Sequence, residues 1–250
     1  MPLMPLISII VPYYKKKFFI SRCLRSIYKQ SYSNYEVILI YDDDDIKEYQ
    51  YIMSFKKTYR KLRIIKNNKR RGAGQSRNVG IQSAKGDLIA FLDSDDVWKK
   101  DKLIKQVHFM NKNKIDFCYT NYYGFIGKNI IYKVVIKKTF DYNRMLSECP
   151  ISCSSVLIKK NILNKNKFRN LKTKEDYELW LRIAKNKYKF GGINKLLTGY
   201  RIRDNSLSTQ HLNKLINAFK IYNKFNNFSV IMSALYVIRL YSNAFIKKYL

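Results

Sequence analysis

The residues of this chain best suited to chemistry are its carboxylates, because they are scarce and gathered. Ten of the 18 acidic residues fall in three short clusters: Asp42 to Asp45, then Asp93, Asp95 and Asp96, then Glu175, Asp176 and Glu178. Around them the chain is basic, with 49 Lys and Arg and a formal net charge of +31. Crowded like charges repel unless a cation or a proton compensates them, so each cluster is a candidate metal site or catalytic base. Asp93-Ser94-Asp95-Asp96 has the most telling spacing. Alternate carboxylates on a tight turn can present oxygens to one hard divalent cation that also grips phosphate. A helix cap competes with that reading, with Asp95 or Asp96 capping a helix that starts near Trp98. For Glu175 and Asp176 the competing reading is a helix N-terminus, whose dipole would lower the Asp176 pKa. For Asp42 it is a turn residue at a strand end.

Apolar, β-branched runs must position the first two clusters. Leu6 to Val11 reads as a buried strand ending at Pro12, and EVILIY (Glu36 to Tyr41) as a second, ending on Asp42. Leu62 to Ile65 is a short third, and LIAFL (Leu88 to Leu92) a fourth that ends on Asp93. Between them Ile20, Cys23, Leu24 and Ile27 recur at helical spacing, and a polar helical stretch runs to about Tyr59. Ala73 to Ala84 forms a further helix, with Gly86 in the place a left-handed cap prefers. Strands alternating with helices predict a parallel sheet, and ligands of such sheets bind beyond the carboxyl ends of the strands. Asp42 and Asp93 are therefore expected to face one crevice.

After about residue 100 the pattern is less regular. Asp116 to Tyr123, Ile130 to Ile136 and Ile151 to Ile158 read as strands. Tyr177, Trp180, Leu181 and Ala184 give the apolar face of a helix that begins at Glu175, with Trp180 read as core. The expected organisation is one domain over 1–205, with a regular first half (1–100) and a less regular second half (101–205). A basic helical extension over 206–250 follows, with six Lys or Arg and no acid.

Composition excludes several classes. At 250 residues, 46% hydrophobic and 15% aromatic, the chain can bury a core and is not disordered. Four cysteines without a CxxC pair and two histidines make no zinc pattern, and read as reduced, packed thiols. The proline-broken start does not read as a signal peptide, and no run approaches the roughly 18 apolar residues of a membrane span. The expected location is cytoplasmic. Lysines are spread along the whole chain, so the charge reads as compositional bias rather than a nucleic-acid footprint. The tail could still lie along an anionic membrane as an amphipathic helix.

From Ile7 to about Ser208 the motifs arrive in an order that resembles the family 2 glycosyltransferases. ISIIVPYY (Ile7 to Tyr14) looks like the opening strand and YEVILIYDD (Tyr35 to Asp43) like the second, with its nucleotide-binding acid. SRNVGIQSAKGDLIAFLDSDD (Ser76 to Asp96) is similar to the family's Arg-Asn-x-Gly helix followed by its DxD. KEDYELWLRIAK (Lys174 to Lys185) resembles the helix that carries the base, and YRIRDNSLS (Tyr200 to Ser208) the closing motif. The chain departs from the pattern at Tyr41, at Asp43-Asp44, at Lys15 and at Arg203, where relatives often carry Asp, Gly-Ser, Asn and His. A guanidinium cannot ligate a metal, but it can pair with phosphate.

The resemblance implies the GT-A fold, an α/β architecture with a Rossmann-like, mostly parallel central sheet flanked by helices. It implies inverting transfer of a sugar from a nucleotide-diphosphate donor, expected to be a UDP-sugar, to an acceptor hydroxyl. By position, Pro12, Tyr14 and Asp42 would bind the nucleobase, Asp93 the ribose or metal, Asp95 the metal with Asp96 assisting, and Arg77 the diphosphate. Arg203 is a further phosphate contact, and Asp176 the catalytic base. The implied cofactor is Mn2+ or Mg2+. The implied acceptor is a glycan or lipid-linked sugar in surface polysaccharide or lipopolysaccharide synthesis. Peripheral membrane contact through 206–250 is expected at the inner face, and no nucleic-acid partner. A metal-dependent nucleotidyltransferase and a non-catalytic nucleic-acid-binding module are the competing readings.

Overall fold

The computed structural model describes residues 4–136, 140–202 and 211–249. Strand β1 (Ile7–Tyr13) lies at the centre of a parallel unit, flanked by β2 (Tyr35–Tyr41) and β4 (Leu88–Phe91), with β3 (Leu62–Lys66) outside β2. Helices α1 (Lys17–Tyr28), α2 (Ile46–Thr58) and α3 (Ala73–Ser83) connect these strands. The residues of β1 alternate between two cores. Ile7, Ile9, Val11 and Tyr13 pack with α1, and Ile10 packs with Ile38, Ile40 and Ile81 on the opposite face. Both faces are covered, so the strands read as continuous apolar runs rather than alternating ones.

Pro12 does not end β1, as its lack of an N–H would lead one to expect. Ile10 O accepts from Leu92 N on the β4 side, and Tyr13 O accepts from Asp42 N on the β2 side. Pro12 therefore faces the β4 side, one step past the last partner pair, Ile10 with Phe91. No partner is waiting there for the hydrogen bond that proline cannot donate. Gly86 also differs from expectation, because α3 ends at Ser83 and its cap Ala84 is extended. The glycine is required by close approach. A Cβ there would sit 2.5 Å from Leu6 O and 2.7 Å from Ser8 N.

The second half extends the sheet with mixed pairing, giving the order β3-β2-β1-β4-β8-β6-β9-β5. Here β5 is Val97–Trp98, β6 Phe117–Ile126, β8 Leu157–Lys159 and β9 Phe190–Arg201, while β7 (Asn129–Val134) pairs with β6 off this path. β8 runs antiparallel to β4 and β6, and β6 parallel to β9. Trp98 lies in β5, and helix α4 (Lys102–Asn113) starts later, so neither Asp95 nor Asp96 caps it. The segment read as a strand from Ile151 instead forms a 3-10 turn, Cys153–Ser155, before β8. Short helices α5 (Tyr142–Met145) and α6 (Lys160–Lys165) precede α7 (Glu175–Lys185). Trp180 of α7 is fully buried, edge-on to Phe117 at 4.7 Å.

Helices α8 (His211–Lys220) and α9 (Val230–Tyr249) close the chain. Ala218, Ile221, Tyr222 and Leu240 join the same core as Ile10, so this segment packs on the body of the protein. No helix among the described residues is long and apolar enough to cross a membrane.

Candidate active site

β4 delivers the chain into the acidic turn, and each of its carboxylates meets a different partner. Asp93 Oδ1 accepts from Arg77 Nη2 at 2.6 Å, and Asp95 Oδ2 from Lys16 Nζ at 2.9 Å. Asp96 is 1% exposed; its Oδ2 accepts from Ser154 Oγ at 2.7 Å and its Oδ1 from Arg201 N at 2.9 Å. Burial raises the Asp96 pKa well above the usual carboxylate range, and the neighbouring charges of Asp95 and Asp93 add to the rise. The resemblance has Asp96 assist at a metal, and the structure gives its carboxylate these other partners. Both its oxygens are spent bracing the turn against the 3-10 turn and β9. Ser154 also accepts from Asp93 N at 3.1 Å, and Arg201 Nε donates to Asp95 O at 3.1 Å.

Arg77, which the resemblance assigns to the diphosphate, has its guanidinium buried between two carboxylates. Nη2 holds Asp93, and Nη1 holds Glu175 Oε1 at 2.8 Å. Such forked pairing fixes geometry as well as charge. Arg77 thus ties the end of β4 to the start of α7, and brings together residues 82 positions apart, Asp93 and Glu175.

Asp176 follows Glu175 on α7 and has no ion-pair partner among the described residues; its Oδ1 accepts from Tyr177 N at 2.8 Å. Its pKa is raised, by burial first, with the Asp93 charge adding to the rise and Arg77, the Tyr177 N–H and Lys174 opposing it. The helix position alone predicts a depressed pKa, and the direction is the opposite, with burial as its first cause. A carboxylate of raised pKa is a better proton acceptor, which is what an alcohol nucleophile needs.

At the end of β2, Asp42 is also used differently from expectation. Its Oδ1 accepts from Asn67 Nδ2 at 2.7 Å and Arg71 N at 2.8 Å, and its Oδ2 from Gly72 N at 2.8 Å. Gly72 has φ +82, a conformation glycine adopts without strain, and it caps α3. Both oxygens of Asp42 are thus committed to anchoring the loop between β3 and α3. That loop reaches the expected nucleobase pocket, because the Arg70 guanidinium lies 4.0 Å from the centre of the Tyr14 ring. Tyr14 is half-buried just past β1, and Pro12 is buried within the strand. In the rest of the first cluster, Asp45 caps α2 through Glu48 N. In the third, Glu178 pairs with Arg169 and Arg182. These acids are structural.

Arg203 and the end of the closing motif lie outside the described residues. Lys16, Arg70 and Ser154 join the site from outside the motifs, while Glu175 and Arg201 reach it from the acidic pair of α7 and from the closing motif. The signal for Ser154 was available in the run Ser152-Cys153-Ser154-Ser155, whose small polar residues interrupt an apolar stretch.

A divalent cation fits this turn in one respect. Asp93 and Asp95 offer hard oxygen donors, and Asp95 already holds a cation, the Lys16 ammonium. No group of three His, Cys, Asp or Glu side chains among the described residues is arranged to hold a metal. Two carboxylates with the remaining ligands from diphosphate and water is a common arrangement for Mg2+.

Residues 8–174 match the sequence profile of Glycosyl transferase family 2. The chain belongs to that family. WfgD of Escherichia coli, a UDP-Glc:alpha-D-GlcNAc-diphosphoundecaprenol beta-1,3-glucosyltransferase, is 33% identical over 88% of this chain and 86% of its own. WfaP of Escherichia coli carries the same activity name and is 36% identical over 85% of this chain and 84% of its own. The fold matches the mannosyltransferase PcManGT of Pyrobaculum calidifontis, solved with GDP-Man and Mn2+. The TM-score is 0.72 and the identity 15%, over 94% of this chain and 70% of that one. This glycosyltransferase therefore has the GT-A fold, with a parallel donor-side unit and a mixed second half.

Proposed function

We propose that this glycosyltransferase moves a sugar, with inversion, from a UDP-sugar to the hydroxyl of a lipid-linked glycan at the cytoplasmic face of a membrane, in surface polysaccharide synthesis. The observation that carries the reading is the linkage through Arg77 of a donor-side acid, Asp93, to the helix start that presents Asp176. Asp176 takes the acceptor proton as the alcohol attacks, and a single displacement inverts the anomeric carbon. Tyr14, Arg70 and the loop anchored by Asp42 line the nucleobase pocket, to which Pro12 of β1 is also assigned. Asp93 and Asp95 would hold Mn2+ or Mg2+, which when bound offsets charge developing on the departing diphosphate. Arg203 is assigned to the same phosphates. The UDP donor and lipid-linked acceptor are supported by the activity names of WfgD and WfaP. The metal is supported by the Mn2+ bound in PcManGT.

The tail supports the membrane location. Its inner side packs on the base-bearing helix: Asn217 Nδ2 donates to Thr173 Oγ1 at 3.0 Å, and the Tyr222 and Tyr177 hydroxyls are 2.7 Å apart. Its outer side exposes Leu212, Val230, Ile231, Leu235 and Ile238, with Ile231 74% exposed. Apolar side chains on a segment that has six basic residues and no acid suit an anionic bilayer. Vesicle flotation tests this. Binding to phosphatidylglycerol vesicles should exceed binding to phosphatidylcholine, and I231D/L235D should abolish it.

The activity test is nucleotide release from a panel of nucleotide-sugars with N-acetylglucosaminyl-diphospholipid as acceptor. UDP release that depends on the acceptor is expected. Pyrophosphate release from a nucleoside triphosphate would favour the nucleotidyltransferase instead.

A further inference from the structure

We propose that Lys16 is a tethered cation of the acidic turn: its ammonium takes the place at Asp95 that a divalent ion would occupy, so that Lys16 and metal compete for this carboxylate. The inference rests on the proposed role of Asp95 in holding the metal. Three consecutive lysines leave β1, and only the middle one turns inward. Lys15 and Lys17 are exposed, and each lies beside a tyrosine ring, Tyr14 and Tyr51, at 5.4 Å. Lys15 has φ +49, which sharply redirects the chain at the end of the strand. Lys16 then occupies the cap of α1, where its carbonyl accepts from Phe19 N at 2.9 Å and Ile20 N at 3.1 Å. With its backbone held, the side chain reaches Asp95 Oδ2 at 2.9 Å, and the two side chains are only 15% and 12% exposed.

The partner is fixed as firmly. Arg201 Nε holds the Asp95 carbonyl, and Asp96 beside it is locked to Ser154 and to Arg201 N. Asp93 is committed to Arg77. Both carboxylates assigned to the metal are thus neutralised by cations of the chain itself. A divalent ion ligated by Asp95 at about 2.1 Å would stand beside the ammonium, and two cations that close repel. Metal binding therefore requires Lys16 to leave. While Lys16 stays, it supplies the positive charge that a donor diphosphate meets at this turn. The consequence is weak metal binding without nucleotide, and UDP binding that survives chelation.

The test uses the whole chain and measures Mn2+ affinity by electron paramagnetic resonance, and UDP affinity by calorimetry with EDTA or Mn2+. Relative to wild type, Lys16→Met is expected to bind Mn2+ roughly tenfold tighter, the effect of removing one like charge near the surface. Its UDP affinity in EDTA should fall, and the gain on adding Mn2+ should grow. Lys16→Arg keeps the charge and should behave as wild type. Unchanged or weaker Mn2+ binding in Lys16→Met, or a Lys16→Arg variant that matches it, overturns the inference. Asp95→Asn separates the two levels. If it weakens Mn2+ binding while Lys16→Met does not tighten it, only the competition is wrong. If it leaves Mn2+ binding unchanged, the metal is not at Asp95, and the proposed metal site falls with the inference.

Discussion

The acidic turn after β4 and the acidic start of α7 share one guanidinium and put their carboxylates to opposite uses. In the turn, Asp93 and Asp95 are paired to Arg77 and Lys16, and Asp96 is held by Ser154 and Arg201 N. At the helix, Glu175 takes the other fork of Arg77, while half-buried Asp176 accepts one backbone N–H and has no ion pair among the described residues. A paired carboxylate has its charge spent on its cation, whereas a desolvated carboxylate without an ion pair is the better proton acceptor. Asp176 sits in the first turn of α7, yet burial and the nearby Asp93 charge hold its pKa above the ordinary carboxylate range.

The change that breaks this contrast most is Asp176→Asn. Transfer should fall by about 10²- to 10⁴-fold, the usual worth of a positioned base. The folded-state pKa of Asp176 lies above its unfolded value, so over that window the native state binds more protons than the unfolded one. Stability contributed by the protonated form is lost as pH rises through the folded pKa. Asp176→Asn should therefore melt at or above the wild-type temperature at neutral pH while losing activity. A lower melting temperature would mean that the carboxylate is structural.

Arg77→Met removes the shared fork and leaves two carboxylates without their cation. A loss of about 3 kcal/mol is expected from chemical unfolding, the low end for breaking a buried pair. A loss under about 1 kcal/mol, typical of surface pairs, would show that the two acidic stations are held together by other contacts.

The pH–rate profile sharpens the comparison more gently. The proposed base role requires Asp176 to be ionised, so kcat/KM should decline on the acid side at a pH above the ordinary carboxylate range. Asp93→Asn removes a charge that raises this pKa, so the limb in that variant should move to lower pH. A shift the other way would overturn the assignment of Asp93 as a neighbour of the base.

Lys102 offers the smallest test, as a buried cation without a carboxylate partner in the structure described. Its Nζ donates to Gln106 Oε1 at 2.7 Å and lies 4.1 Å from the Trp98 ring centre, and burial lowers its pKa to about 7. Between pH 7 and the usual lysine value near 10.4, the unfolded chain binds more protons than the folded one. Stability should rise with pH across that window, and Lys102→Met should flatten the rise.

The strands β1 to β4 and the buried positions Ile20, Cys23, Leu24 and Ile27 of α1 were readable along the chain, since burial on both sheet faces and helical spacing leave one-dimensional signatures. Asp93, Asp95 and Asp176 were equally visible, because carboxylates are rare in so basic a chain. The 3-10 turn at Cys153–Ser155 was not. Its Ser154 holds Asp93 N and Asp96 across 61 and 58 residues, and such bonds leave no periodicity.

Residue type and order along the chain were thus enough for the family pattern, the donor-side strands and the candidate acids. The partners of those acids depended on folding. Lys16 meets Asp95 across 79 residues, and Arg77 meets Glu175 across 98. A charge spreads its influence through space and not along sequence. Which carboxylate becomes an anchor, a holder of charge or a base is therefore set by the side chains and the burial that the completed fold brings to it.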